Sequence, residues 1–170
     1  MTESITVRPR ADLRPPEVEA DEKTTLVVFL DYLRESVAAK AVGLSDGSAA
    51  APGVPSGTSV AGLVKHLTAV ELNWFVWGYA GEDVPQWDDE APAASGDTVD
   101  GLLADYRAAV DRCNAVIAAC DDLGRPGVRS LRETPAPSMR WLLVHMIEET
   151  ARHAGHADIL REHLDGSVGR

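Results

Sequence analysis

One stretch constrains the folding of this chain more than any other: Trp141-Leu-Leu-Val-His-Met-Ile-Glu-Glu-Thr-Ala-Arg-His-Ala-Gly-His-Ala-Asp-Ile-Leu160. It contains no proline and is apolar at helical spacing. At about 100° per residue, with His145 at zero, Glu149 falls at about 40°, His153 at about 80° and His156 at about 20°. Leu142 and Leu160 both fall at about 60°, inside the same arc. The face that must turn inward therefore carries four metal-competent side chains. Leaving such groups buried and unpaired costs about 1–3 kcal/mol each. The helix needs a facing element that supplies partners, and one bound metal ion is the economical way to satisfy several donors together.

Three further segments share the helical period. The first, about Asp21 to Val42, places Leu26, Phe29, Leu30, Leu33 and Val37 on one face, and Gly43 is a natural stop. Ser45 to Gly57 is turn-rich, and Pro52 and Pro55 forbid a continuous helix there. The second segment, Ser59 to Tyr79, carries a stripe of Leu63, His66, Leu67, Val70, Trp74 and Trp77. The third, Thr98 to Asp121, shows Leu102, Leu103, Tyr106, Val110, Cys113 and Ile117. Pro126, Pro135 and Pro137 mark a loop before the last helix, Ser138 to Leu164, which closes at Gly166. Strand-like alternation is absent apart from a weak extended piece at Val128 to Leu131.

Four long helices predict an all-α four-helix bundle over residues 21–166, preceded by a polar arm (1–20) and followed by a short tail (167–170). Bundles build metal sites from side chains on facing helices. The connection from Gly81 to Gly96, with Trp87 in it, exceeds the usual helix–helix link of about 2–8 residues, and such loops are often functional.

A chain of 170 residues fits one domain with a real core. Its formal net charge of -11 argues against nucleic acid and anionic membrane surfaces as partners. No apolar run approaches the 18 or so residues that span a bilayer. Met1 to Glu22 lacks the apolar core of a signal peptide, so a cytoplasmic protein is expected. Cys113 and Cys120, ~10 Å apart along one helix, are too distant to form a disulfide.

His66 supplies the second half of the candidate site, because it lies within the apolar stripe of its own helix. A lone histidine there is more often a satisfied core residue than a ligand. Here the last helix offers Glu149 and His153 at i, i+4, one turn apart on one face. Together they form the His₂Glu set of catalytic zinc sites, with a fourth position left to water or substrate. Nickel, iron or manganese are served by the same donors. His145 reads as an alternative ligand, a partner of a ligand or a helix–helix hydrogen bond. His156 reads as an acid/base facing substrate, a fourth ligand, or a hydrogen bond to the first helix. His163 near the helix C-terminus suits the dipole. Gly155 allows close approach of a helix or a ligand, and Glu71 points away from the stripe, by default to solvent. Asp158 and Arg161 read as a surface pair, and Trp74, Trp77, Trp87 and Trp141 as core or pocket wall.

The segment Gly62-Leu-Val-Lys-His66-Leu, together with Glu149-Thr-Ala-Arg-His153-Ala-Gly155-His156, resembles the DinB-like superfamily over about residues 21 to 166. Members are metal-binding four-helix bundles, many of them transferases that use bacillithiol or mycothiol, with mycothiol-dependent maleylpyruvate isomerase among their relatives. The actinobacterial branch is the nearest match, and the preponderance of Arg over Lys agrees with it. Many members carry three histidine ligands, whereas the maleylpyruvate isomerase type uses His, Glu and His, a pattern with which Glu149 is compatible. Where the commoner pattern ends His-Arg-Gly-Gln, this chain has His153-Ala-Gly-His156.

The resemblance implies a metal-dependent S-transferase joining a low-molecular-weight thiol, mycothiol, to an electrophilic small molecule through a metal-bound thiolate. His66, Glu149 and His153 would hold the ion, zinc first. His156 would move the proton, Trp87 would be a cofactor-binding residue, and the bundle mouth near Trp87 and the Gly81 to Gly96 loop would admit the electrophile. A homodimer is also in keeping with the superfamily. Competing readings are an isomerase of the same metal–thiol type, a non-catalytic metal-binding stress-response bundle, and a bundle whose histidines only hydrogen-bond across the core.

Overall fold

Each α-helix begins after a residue whose side chain caps it. The computed structural model describes residues 14–168 and the strand β1, Arg8–Pro9. The expected arm over residues 1–20 lies largely outside them. Helix α1, Glu22–Ala41, starts where the Asp21 carboxylate accepts the Thr24 N–H at 2.9 Å. A left-handed Gly43 (φ 78°) follows its end. Ser59 caps α3, Val60–Glu71, and Thr98 caps α4, Val99–Ala118, each through a glycine N–H at 3.1 Å. Ser138 caps α5, Met139–Asp165, which stops at Gly166 in the left-handed conformation (φ 71°). Just beyond, β2, Ser167–Val168, pairs in parallel with β1.

The four long helices form the expected all-α bundle, with two local differences from the sequence pattern. Residues 45–57 contain a short helix α2, Asp46–Ala50, capped by Ser45. One and a half turns are too few for periodicity to register. The helix is held by buried Ala49 and by the Asp46 carboxylate, which accepts the Val99 N–H at 2.8 Å. The helix predicted to run to Tyr79 is α-helical only to Glu71. Leu72–Tyr79 continues it as a π-helix, with bonds such as Ala80 N–H to the Phe75 carbonyl at 2.9 Å.

Helix α1 lies along α5 and α3 along α4, while α3 also touches α1 and α5. Two apolar clusters fill the bundle. One is built from Val37, Leu63, Leu67, Leu103 and Leu160, the other from Leu30, Phe75, Ile117, Leu143 and Met146. A polar waist separates them. On α1 it holds Arg34, on α3 Glu71, and on α5 the interval from Met146 to Ala154 that contains Glu149 and His153.

Glu71, expected at the surface, is fully buried. The Arg34 guanidinium donates to both its carboxylate oxygens at 2.6 Å, while Arg34 also donates to Asp31 and Asn114. A helical wheel assumes one buried face, but α3 is walled on several sides, so its off-stripe positions are buried as well. Burial disfavours the charged Arg34, and the Glu71 carboxylate more than offsets that, pushing the guanidinium pKa up. Asp158 and Arg161 do not pair with each other as expected. Asp158 pairs with buried Lys40, and Arg161, itself buried, binds Asp165 and the carbonyls of Lys40 and Val42. Cys113 and Cys120 are free, buried thiols.

The segment Val128 to Leu131 is not a strand. The Val128 and Arg129 N–H groups donate to the Gly78 carbonyl at 3.1 and 2.8 Å, docking the loop onto the π-helix. Gly81 (φ 70°) lies beneath it, where any Cβ would crowd Val128.

Candidate metal centre

At the waist, α3 and α5 bring His66, Glu149 and His153 together. One donor atom from each lies within 4.8 Å of the others, and this is the group of metal-competent side chains formed among the described residues. Glu149 Oε1 is 3.3 Å from His66 Nε2 and 3.0 Å from His153 Nε2. The imidazole centroids are 4.8 Å apart with rings steeply inclined, so both nitrogens converge on the carboxylate from different directions. All three side chains are half-buried.

The opposite nitrogen of His66 fixes its proton. Nδ1 lies 2.6 Å from the Asp89 carbonyl, which can only accept, so Nδ1–H donates. In the neutral ring, Nε2 then presents a lone pair toward the Glu149 carboxylate, and two acceptors face each other across 3.3 Å. A cation between them resolves that juxtaposition. Donation of the second ring N–H to a carbonyl is the usual way a protein orients a metal-binding histidine.

Electrostatics favours the ligand-competent protonation states. Burial lowers the His153 pKa, which keeps the imidazole neutral. For Glu149 burial acts upward, yet its contacts with His66 and His153 outweigh it, and the pKa falls. Neutral imidazoles and an ionised carboxylate are the forms that ligate.

The loop expected to be functional is what delivers the Asp89 carbonyl. Asn73, on the first turn of the π-helix, donates to the Trp87 carbonyl and accepts the Trp87 N–H, both at 2.9 Å. This clamps residues 87–89 over α3. Neither Asn73 nor Asp89 was singled out by the sequence pattern. The available signal was one amide inside the apolar run Leu72-Asn73-Trp74-Phe75. Trp87 is half-buried with the Arg112 guanidinium over its ring at 5.8 Å. With Asn73, Trp74, Asp89 and Arg132 it borders a cavity of about 330 Å³.

The other histidines separate clearly. His156 is exposed, and its Nδ1 lies 3.4 Å from His153 Nδ1, so it contacts a member of the triad rather than the first helix. His145 stands apart from the donor set. It clusters with Trp74, edge-on at 5.0 Å, and with Trp141, tilted at 4.9 Å, and its pKa is lowered by burial and then by nearby Arg132. The Arg132 guanidinium covers both indoles at 5.6 and 5.5 Å. Trp141 is the most open of the tryptophans, 41 % exposed, and Trp77 stacks under Arg129. His163 is exposed near the end of α5. A Cβ at Gly155 would meet nothing within 4 Å, so no helix approaches it closely.

Two imidazoles and a carboxylate converging between helices of a four-helix bundle place the chain among DinB-like proteins. Within that class it belongs to the Mycothiol-S-transferase family, which it matches over residues 25–166. Among solved structures it is similar to a conserved protein from Enterococcus faecalis, with a TM-score of 0.58 and 17% identity. That similarity covers 86% of this chain and 99% of the other, and establishes the fold alone. No curated protein matches the chain. No helix among the described residues is long and apolar enough to cross a membrane.

Proposed function

We propose that the protein is a metal-dependent S-transferase that joins mycothiol to electrophilic small molecules, with His66, Glu149 and His153 holding one divalent ion. The observation that carries this reading is the lone pair of His66 Nε2, aimed at the Glu149 carboxylate by the Nδ1–H bond to Asp89. Zinc is the first choice for a His₂Glu set, and nickel, iron and manganese fit the same donors. A bound divalent ion supplies the chemistry of thiol activation, since coordination stabilises thiolate over thiol.

The protein's own residues do the rest. Asp89 and Glu149 fix the two imidazoles, so that little reorganisation is needed when substrate arrives. The cavity beside Trp87, with its indole rings, the Asn73 amide and the Arg132 guanidinium, takes the polar body of the thiol. His156 accepts and passes on the thiol proton from its exposed position beside His153. A mycothiol-consuming reaction would put the protein in the cytoplasm, and a homodimer belongs to the same reading.

The first test is metal content by plasma mass spectrometry on untagged protein, native and His66→Ala/His153→Ala, followed by mycothiol consumption with a panel of alkylating agents. About one divalent ion per chain, lost in the double variant, and metal-dependent conjugate formation are expected. Protein that takes up neither zinc nor nickel on reconstitution overturns the metal centre. Metal-loaded protein that consumes no mycothiol with any electrophile overturns the transferase.

A further inference from the structure

A second cavity lies beside His156, whose imidazole contacts His153 of the triad. It measures about 380 Å³ and is bordered by Val54, Ser56, Thr58, His156, Ile159 and Leu160. That is within the range of small-molecule sites. Its chemistry is the reverse of the cavity beside Trp87. Three aliphatic side chains dominate the wall, and the Ser56 and Thr58 hydroxyls satisfy each other at 3.1 Å. Among the described residues His156 is the only ionisable one lining it, so a charged ligand would find no fixed counter-charge from them, whereas the Trp87 side carries Arg132.

The wall is built rather than incidental. The Gly53 N–H donates to the Thr58 carbonyl and the Gly57 N–H to the Val54 carbonyl, each at 3.0 Å, closing the loop on itself. Gly53 presses on α5 so closely that an added Cβ would overlap Leu160 Cδ2. Val54 and Ile159 nonetheless remain 38 % and 55 % exposed, apolar surface with nothing over it. One imidazole, His156, stands between this surface and His153.

We propose that this cavity binds the apolar tail of the electrophile, which makes the substrate class an uncharged alkylating agent with an aliphatic or aryl group of several carbons. The inference rests on the transferase reading for its chemistry. The tail seats against Val54, Ile159 and Leu160, and the reactive carbon projects past His156 toward the metal centre. The thiol sulfur forms the new carbon–sulfur bond while the carbon–leaving-group bond breaks. The leaving group departs as an anion with the bonding pair, and the thiol proton passes by way of His156 to water. The thiol arrives from the Trp87 side, so the two substrates meet from different cavities.

The test uses zinc-loaded protein and unreactive n-alkyl acetamides, propyl to heptyl, followed by methyl chemical shifts of Ile, Leu and Val. Shifts at Val54, Ile159 and Leu160 are expected, with affinity rising about fourfold per added methylene, the equivalent of ~0.8 kcal/mol per buried CH₂. Ile159→Ser, a change at an exposed position, should retain one zinc per chain and weaken heptyl acetamide binding at least fivefold. Val54→Ser is the second variant should the first not fold. With mycothiol and n-alkyl bromoacetamides, KM should fall along the same series. Methyl shifts centred on Leu131, in the cavity beside Trp87, or an affinity independent of chain length, would overturn the proposal. Acetamides that bind as expected without any mycothiol consumption would uphold the cavity and sink the transferase. Turnover without chain-length dependence in KM or in binding would do the reverse.

Discussion

Two carboxylates at the waist, Glu71 and Glu149, have opposite fates though both meet basic nitrogens. Glu71 is fully buried and gripped at both oxygens by Arg34 at 2.6 Å, with the guanidinium itself closed off by Asp31 and Asn114. Glu149 is 17 % exposed and faces two imidazoles at 3.3 and 3.0 Å through a single oxygen. A permanently protonated guanidinium saturates its partner, and the result is structure. Imidazoles can offer a ring nitrogen to a cation, and the result is a candidate site. His66 and Glu71 lie on one helix, five residues apart, so saturation and not location separates the two regions.

If this distinction holds, the largest effect belongs to the saturated pair. Glu71→Ala should destabilise the protein by about 3–5 kcal/mol in urea unfolding, because Arg34 is left buried and unpaired. Glu149→Ala in metal-free protein should cost no more than about 1 kcal/mol, since both imidazoles can turn to water. Equal losses would erase the contrast. Next comes the ion. Zinc at about 100 times its Kd should raise stability by about 2.7 kcal/mol by calorimetry, reversibly with chelator, and should not do so in His66→Ala/His153→Ala.

Asn73→Ala sharpens the comparison from outside the triad. It frees the Trp87 N–H and carbonyl, at a cost of about 1–3 kcal/mol. Loosening the Asp89 carbonyl should also weaken zinc binding about tenfold, measured by competition with a chelator. Unchanged zinc affinity would mean that the loop does not orient His66. The smallest effect is at Asp165, whose carboxyl is held well below its ordinary value by the Arg161 guanidinium and then by Ser167. A depressed folded-state pKa gives stability that is present above the unfolded value, about 3.9, and is lost as pH falls below it. Since Asp165 is over one-third exposed, the loss in native protein relative to Asp165→Asn should stay under about 1 kcal/mol between pH 5 and 2. A pH profile identical in the two proteins would remove that ion pair from the account.

The triad was legible because its spacing is local. Glu149 and His153 are one turn apart, and His66 interrupts an apolar stripe, so each residue announces itself within its own helix. Arg34 and Glu71 announced nothing, because their partnership joins α1 to α3 across 37 positions. Asp89 was hidden for another reason, since it acts through a carbonyl that every residue possesses. The π-helix also defeats a wheel drawn at α-helical pitch, which is why Asn73 and the orientations of Trp74 and Trp77 were beyond reach.

The sequence by itself determined the four long helices, the glycine stops of the first and last, and the three candidate donors, because periodicity, capping and i, i+4 spacing act over a few residues. Only the tertiary structure decided which donors converge, which histidine clusters with tryptophans, and which carboxylate is closed. Those outcomes depend on which helix faces which and on what the long loop lays across α3. Contacts of that kind arise between segments far apart in the chain, where no local pattern records them.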